Sequence, residues 1–156
     1  MKTLLSIIYI LLSSFANSAG TDSGGNTSHG SSANTIDVNI EFNRAKKLIY
    51  KKNYEKGLKI LKDIENERPF GYSKADLYNY MGFSSRKQKK PNYKKAEKYY
   101  LKALSLEPDH IGALEYIGEL YFETDRVDMA RSMLKKLGEI AGKESSEYKE
   151  LYKLLN

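Results

Sequence analysis

Between Tyr93 and Pro108, small and aromatic side chains recur at helical spacing: Ala96, Tyr100 and Ala103 fall at offsets 0, +4 and +7, with Pro108 at +12. Residues three and four apart share one face of an α-helix. Small residues on that face let a second helix come close, and the aromatic fills the gap beside them. The proline stops the helix because it has no N–H to give. Upstream, Tyr78, Met81 and Gly82, followed by Ser85, form a matching first helix, and the segment between carries a break at Pro91 and Asn92. A second copy follows, with Leu114, Ile117, Gly118 and Tyr121, a turn at Thr124 and Asp125, then Ala130 and Leu134. Gly142 stands there in place of the proline. A weaker copy precedes both, since Tyr54, Gly57, Leu61, Ile64 and Pro69 align with Tyr93, Ala96, Tyr100, Ala103 and Pro108. Its first helix has Glu41, Arg44, Ala45 and Leu48 at the matching places. The clear copies lie 36 residues apart, Met81 to Ile117. The pattern predicts an all-α chain of three helical hairpins, over about 38–70, 73–109 and 110–142. A last helix is expected over about 145–155, started by Ser145 or Ser146, with Tyr148, Leu151, Tyr152 and Leu155 as its apolar stripe. That helix reads as a cap over the exposed end of the last hairpin.

From about Val38 to Gly142 these positions resemble the tetratricopeptide repeat family. Tyr78, Met81 and Gly82 stand for its W-x₂-L-G, and Ala96, Tyr100 and Pro108 for its A-x₃-F…P. The resemblance implies a helical-hairpin solenoid that binds protein. It also implies a register in which first helices line a concave groove. That register gives Asn39, Phe42, Lys46 and Ile49, then Asp76, Asn79, Phe83 and Arg86, then Gly112, Glu115, Glu119 and Phe122. Phe42, Lys46, Ile49, Asn79, Phe83, Arg86, Glu115, Glu119 and Phe122 are the candidate protein-binding residues. The family's clamp for C-terminal carboxylates uses Lys, Asn and Arg at places where this chain has Phe42, Lys46, Tyr80, Gly112 and Tyr116, so that clamp is not expected. Three phenylalanines among mixed charges suit a peptide or helix with apolar anchors. The same phenylalanines also suit plain packing in a short solenoid.

Residues 1–18 read as a secretory signal peptide: Lys2, an apolar run from Leu4 to Leu12, and Ala16 and Ser18 before a cleavage site at Ala19. An uncleaved anchor is the alternative, although the run is shorter than the ~20 residues a spanning helix needs. Residues 19–35, rich in Gly, Ser, Thr and Asn, are expected to be a flexible linker, leaving 36–156 as the folded domain. The whole resembles small exported tetratricopeptide proteins of Gram-negative bacteria, in which a segment like SSEYKEL introduces the last helix. Their cysteine pair falls at Ala141 and Ser145 here; the chain has 0 cysteines, so no disulfide forms. An exported, periplasmic protein is expected, or otherwise a secreted one.

The chain has 26 Lys and Arg against 20 Asp and Glu, a net charge of +6. The distribution is uneven. Arg44 to Lys62 holds eight bases and one acid, as does Arg86 to Lys102, whereas Glu107 to Glu150 holds eleven acids and six bases. Tyrosines among the lysines suggest a nucleic-acid surface, but export argues against nucleic acid. A basic face that is simply solvated is the plain reading; an acidic partner or an anionic membrane surface would also suit it. The chain's 2 histidines are His29, in the linker, and His110, at a helix start. Neither has ligands at metal spacing, and no nucleophile motif is present. No catalytic residue, metal or cofactor is expected. The expected function is a protein-binding adaptor or assembly factor of the cell envelope. The alternatives are a scaffold that self-associates through its basic and acidic halves, and a periplasmic co-chaperone.

Overall fold

The computed structural model describes residues 37–156; the signal peptide expected over 1–18 and the linker expected over 19–35 lie outside them. Seven helices occupy the described residues: α1 (Val38–Tyr50), α2 (Tyr54–Asp63), α3 (Lys74–Lys87), α4 (Tyr93–Leu106), α5 (Ile111–Glu123), α6 (Val127–Ile140) and α7 (Ser146–Leu155). They pair as α1 with α2, α3 with α4, and α5 with α6. The first helices also touch in series, α1 on α3 and α3 on α5, while the backbones of α2, α4 and α6 stay apart from one another. The first helices therefore form an inner layer and the second helices an outer one. This is the two-layer build of a helical-hairpin solenoid.

Local chemistry starts each first helix. Asp37 accepts the N–H groups of Asn39 and Ile40, each at 3.1 Å. Ser73 and Asp76 form a reciprocal capping box on α3. His110 caps α5 through Nδ1, which accepts the Ala113 N–H at 3.1 Å. The helices α2 and α6 lack a side-chain cap and begin instead from tight turns. In those turns Lys52 (φ 61°) and Asp125 (φ 59°) adopt the left-handed conformation. The next residues, Asn53 and Arg126, donate back to Leu48 and Tyr121, each at 2.8 Å. This is the six-to-one bond that satisfies a helix's last carbonyls. The turn between α3 and α4 runs over five residues, 88–92, against three, 51–53 and 124–126, in the other hairpins. Its extra length is closed by the Asn92 N–H donating to the Ser85 carbonyl at 2.8 Å.

The small–aromatic pattern is the core. Ala96, Tyr100 and Ala103 are fully buried, as are Leu61 and Ala130. Gly82 exists for Tyr100: a Cβ there would stand 2.6 Å from the ring. In the last hairpin, a Cβ on Gly118 would stand 2.5 Å from Leu151 of α7 and 3.2 Å from Met133 of α6. The helix α7 covers α5 and α6 with Leu151 and Leu155. Tyr152, expected in that stripe, turns outward and is half exposed, with its ring stacked on Tyr148 at 5.9 Å. The buried face of α7 is thus narrower than the sequence pattern implied.

Candidate protein-binding site

The inner layer brings the candidate residues into two groups. On α1, Phe42 is buried against Tyr72 (ring centroids 4.1 Å apart, stacked) and the edge of Tyr80 (5.7 Å). Lys46 lies over the Phe42 ring at 5.1 Å, and Ile49 is buried behind it. On α3 and α5, Phe83 sits between Tyr54 (6.0 Å) and Tyr116 (4.9 Å). Phe122, near the end of α5, is partly exposed and packs against the core of the last hairpin.

Six of the nine candidates are buried: Phe42, Ile49, Asn79, Phe83, Arg86 and Glu115. Lys46, Glu119 and Phe122 remain partly exposed. Of the two readings of the phenylalanines, Phe42 and Phe83 follow the packing one, because tyrosines from neighbouring segments close over them. Tyr54, Tyr72, Tyr80 and Tyr116 do this, and the repeat register does not report it.

The seam between α3 and α5 is charged. The Arg86 side chain is fully buried and pairs with Glu119 and, at 3.3 Å, with Glu123. Its guanidinium also lies near the Phe83 and Tyr116 rings, 5.8 and 5.7 Å from their centres. Burial disfavours that charge, but the surroundings of Tyr100, Glu119 and Glu123 outweigh it and hold the group firmly cationic. Lys87 joins from the rim, 3.4 Å from Glu123. Burial, then the nearby carboxylates of Glu119 and Glu147, pushes the Glu115 carboxyl up to about 8. At the other end of the seam, Asn79 lies beside Gly112, where a Cβ would come 3.0 Å from its amide nitrogen. His110 Nε2 meets Asp76 Oδ1 at 3.2 Å, tying the start of α5 to the start of α3.

Glu123 and Lys87 belong to this cluster although they were not candidates. Their signal was present: Glu123 lies one turn beyond Glu119, and Lys87 adjoins Arg86. The Asp76–His110 pair has no free nucleophile beside it, since Ser73 is taken up in its capping box. Among the described residues no group of three or more His, Cys, Asp or Glu is placed to hold a metal ion, and no helix is long and apolar enough to cross a membrane.

Comparison with known sequences agrees with the architecture. The tetratricopeptide repeat family model matches residues 90–155, which spans α4 to α7. No curated protein matches the chain. Repeats of this family mediate protein–protein contacts, typically without catalysis. Three helical hairpins closed by a seventh helix, with small residues where helices cross, agree with that match, and residues 90–155 belong to the tetratricopeptide repeat family.

Proposed function

We propose that the protein is an exported adaptor or assembly factor of a bacterial cell envelope, holding a peptide or helix of its partner along the inner layer of α1, α3 and α5. One observation carries this reading: the α3–α5 seam buries Asn79, Arg86 and Glu115 where apolar side chains would pack at less cost. Buried ion pairs add little stability over apolar packing of the same volume. Their place on the inner layer favours recognition. Around them Lys46, Lys87, Glu119 and Phe122 keep partial exposure and offer both charge and apolar contact. Charges at such a rim orient a partner more than they hold it.

Photo-crosslinking side chains placed at Lys46 and Phe122 of the full chain should form adducts with an envelope protein in cells. The same groups at Lys94 and Lys98, exposed on α4 of the outer layer, should form few. Adducts confined to α4 would mean that the outer basic face binds, and the groove reading would fall. Sequencing the N-terminus of the recovered protein separates a cleaved signal peptide, which leaves Ala19 first, from an uncleaved anchor, which leaves Met1.

The scaffold reading draws on the separation of charge along the sequence. Lys62 of α2 and Lys95 of α4 lie close enough for burial and the neighbouring ammonium to lower the Lys62 pKa. Sedimentation at low and high salt separates it from the adaptor reading, because contacts between exposed charges weaken as salt screens them.

A further inference from the structure

We infer that the α3–α5 seam receives a cation: a lysine or arginine side chain presented by the bound partner enters beside Glu115. This deepens the groove reading and rests on it.

Two acceptors in the seam lack donors. Glu115 is 8 % exposed and, among the described residues, neither accepts a hydrogen bond nor pairs with a base, but its carboxyl oxygens are not sealed from solvent. Asn79 is 6 % exposed, and its Oδ1 has no hydrogen-bond partner. The two lie on the same stretch of the seam: Asn79 abuts Gly112, and Glu115 follows Gly112 by one helical turn. A buried acceptor without a donor costs roughly 1–3 kcal/mol. The Asn79 oxygen bears that cost, and the solvent-reachable Glu115 carboxyl beside it completes a place for a donor. The surroundings specify its charge. Glu119 on α5 and Glu147 and Glu150 on α7 add negative potential at Glu115. Arg86 of α3 opposes them, but both its Nη atoms are already engaged with Glu119 and Glu123, and only its buried Nε is left without a partner. An ammonium or guanidinium brings several N–H donors and no acceptor. A carboxylate or phosphate would meet like charge from Glu119, Glu147 and Glu150.

The Glu115 carboxyl, held up to about 8 by burial and then by Glu119 and Glu147, carries its proton in the free protein at neutral pH. Tyr116 lies next to it, its own pKa raised by burial and then by Glu115, and remains neutral. An arriving cation favours the ionised carboxylate and displaces the proton. Binding therefore releases a proton near pH 7, and affinity rises by about tenfold from about pH 7 to about pH 9 before levelling.

The test uses the full chain and short amphipathic helical peptides identical save for one central residue: lysine, arginine, norleucine or glutamate. Calorimetry in two buffers of different ionisation enthalpy counts the protons exchanged. The lysine and arginine peptides should bind about tenfold or more tighter than the norleucine peptide, with proton release at neutral pH. Glu115→Gln, which imitates the protonated carboxyl and so leaves the free fold intact, should lose both the preference and the release. Equal binding of lysine and norleucine peptides, absence of proton release in the wild type, or a preference that survives Glu115→Gln would each overturn the inference. If peptides bind equally well and still block crosslinking at Phe122, the groove reading stands and only the cation site falls. If no peptide binds, both fall.

Discussion

Glu115→Gln should free the fold from a pH dependence that the wild type carries. An ordinary glutamate titrates at 4.5, and in the folded chain Glu115 titrates at about 8. The folded state thus holds a proton that the unfolded chain releases. Stability is fully present below pH 4.5, falls as pH rises between the two values, and levels off above the higher one. Each unit is worth about 1.36 kcal/mol. The shift corresponds to a loss on the order of 4–5 kcal/mol across that window, a large share of the 5–15 kcal/mol of a typical domain. Glutamine cannot ionise, so the advantage of the variant should grow by about 4 kcal/mol between about pH 5 and about pH 9. Urea unfolding followed by circular dichroism at intervals of one pH unit measures both proteins, and the difference removes titrations common to them. Parallel stability curves would mean that Glu115 is solvated or paired in solution, and the account of the seam would be refuted.

Three further outcomes are expected. Gly118→Leu should cost about 3 kcal/mol or more by overpacking, because Leu151 and Met133 already occupy the space, and its melting temperature should drop well below the wild type's. Asp125→Gly should stabilise by up to about 1 kcal/mol, since glycine takes the left-handed conformation without a Cβ penalty; an unchanged urea midpoint would show that the turn carries no strain. Deleting residues 145–156 should expose Gly118, Leu134 and Leu137 to solvent, visible as dye binding and a lower melting temperature; a truncated chain as stable as the full one would make α7 a docking element instead of a cap.

The fold was legible because its rule is local. Ala96, Tyr100 and Ala103 share a helix face, Gly82 gives the ring its room, and Glu107 ends α4 just before Pro108. Pro91 and Asn92 marked the turn between α3 and α4. The inner layer was legible only as a register. Repeat position puts Phe83 on the inner helix, but its burial depends on Tyr54 from the previous hairpin and Tyr116 from the next. Those contacts are long-range, and no spacing within one helix encodes them. Arg86 shows the same limit: it read as a groove-lining charge, and is buried where Glu119 and Glu123, one hairpin away, pair with it. Tyr152 failed in the opposite sense, since helical spacing admits it to the stripe but the surface beneath α7 takes only Leu151, Leu155 and part of Tyr148.

The two joints of this short solenoid are made of different materials. The first hairpin meets the second through stacked rings, Phe42 on Tyr72 with Tyr80 at the edge. The second meets the third through rings as well, Phe83 on Tyr116, but adds a buried guanidinium shared by two carboxylates. Apolar contact weakens on cooling, whereas the desolvation cost of an ion pair falls on warming. Temperature therefore acts on the joints unequally: cold loosens the first more than the second. Cooperativity along the array is a property of each interface in turn, and this molecule carries a hinge for the cold at one end of α3 and a rivet for the heat at the other.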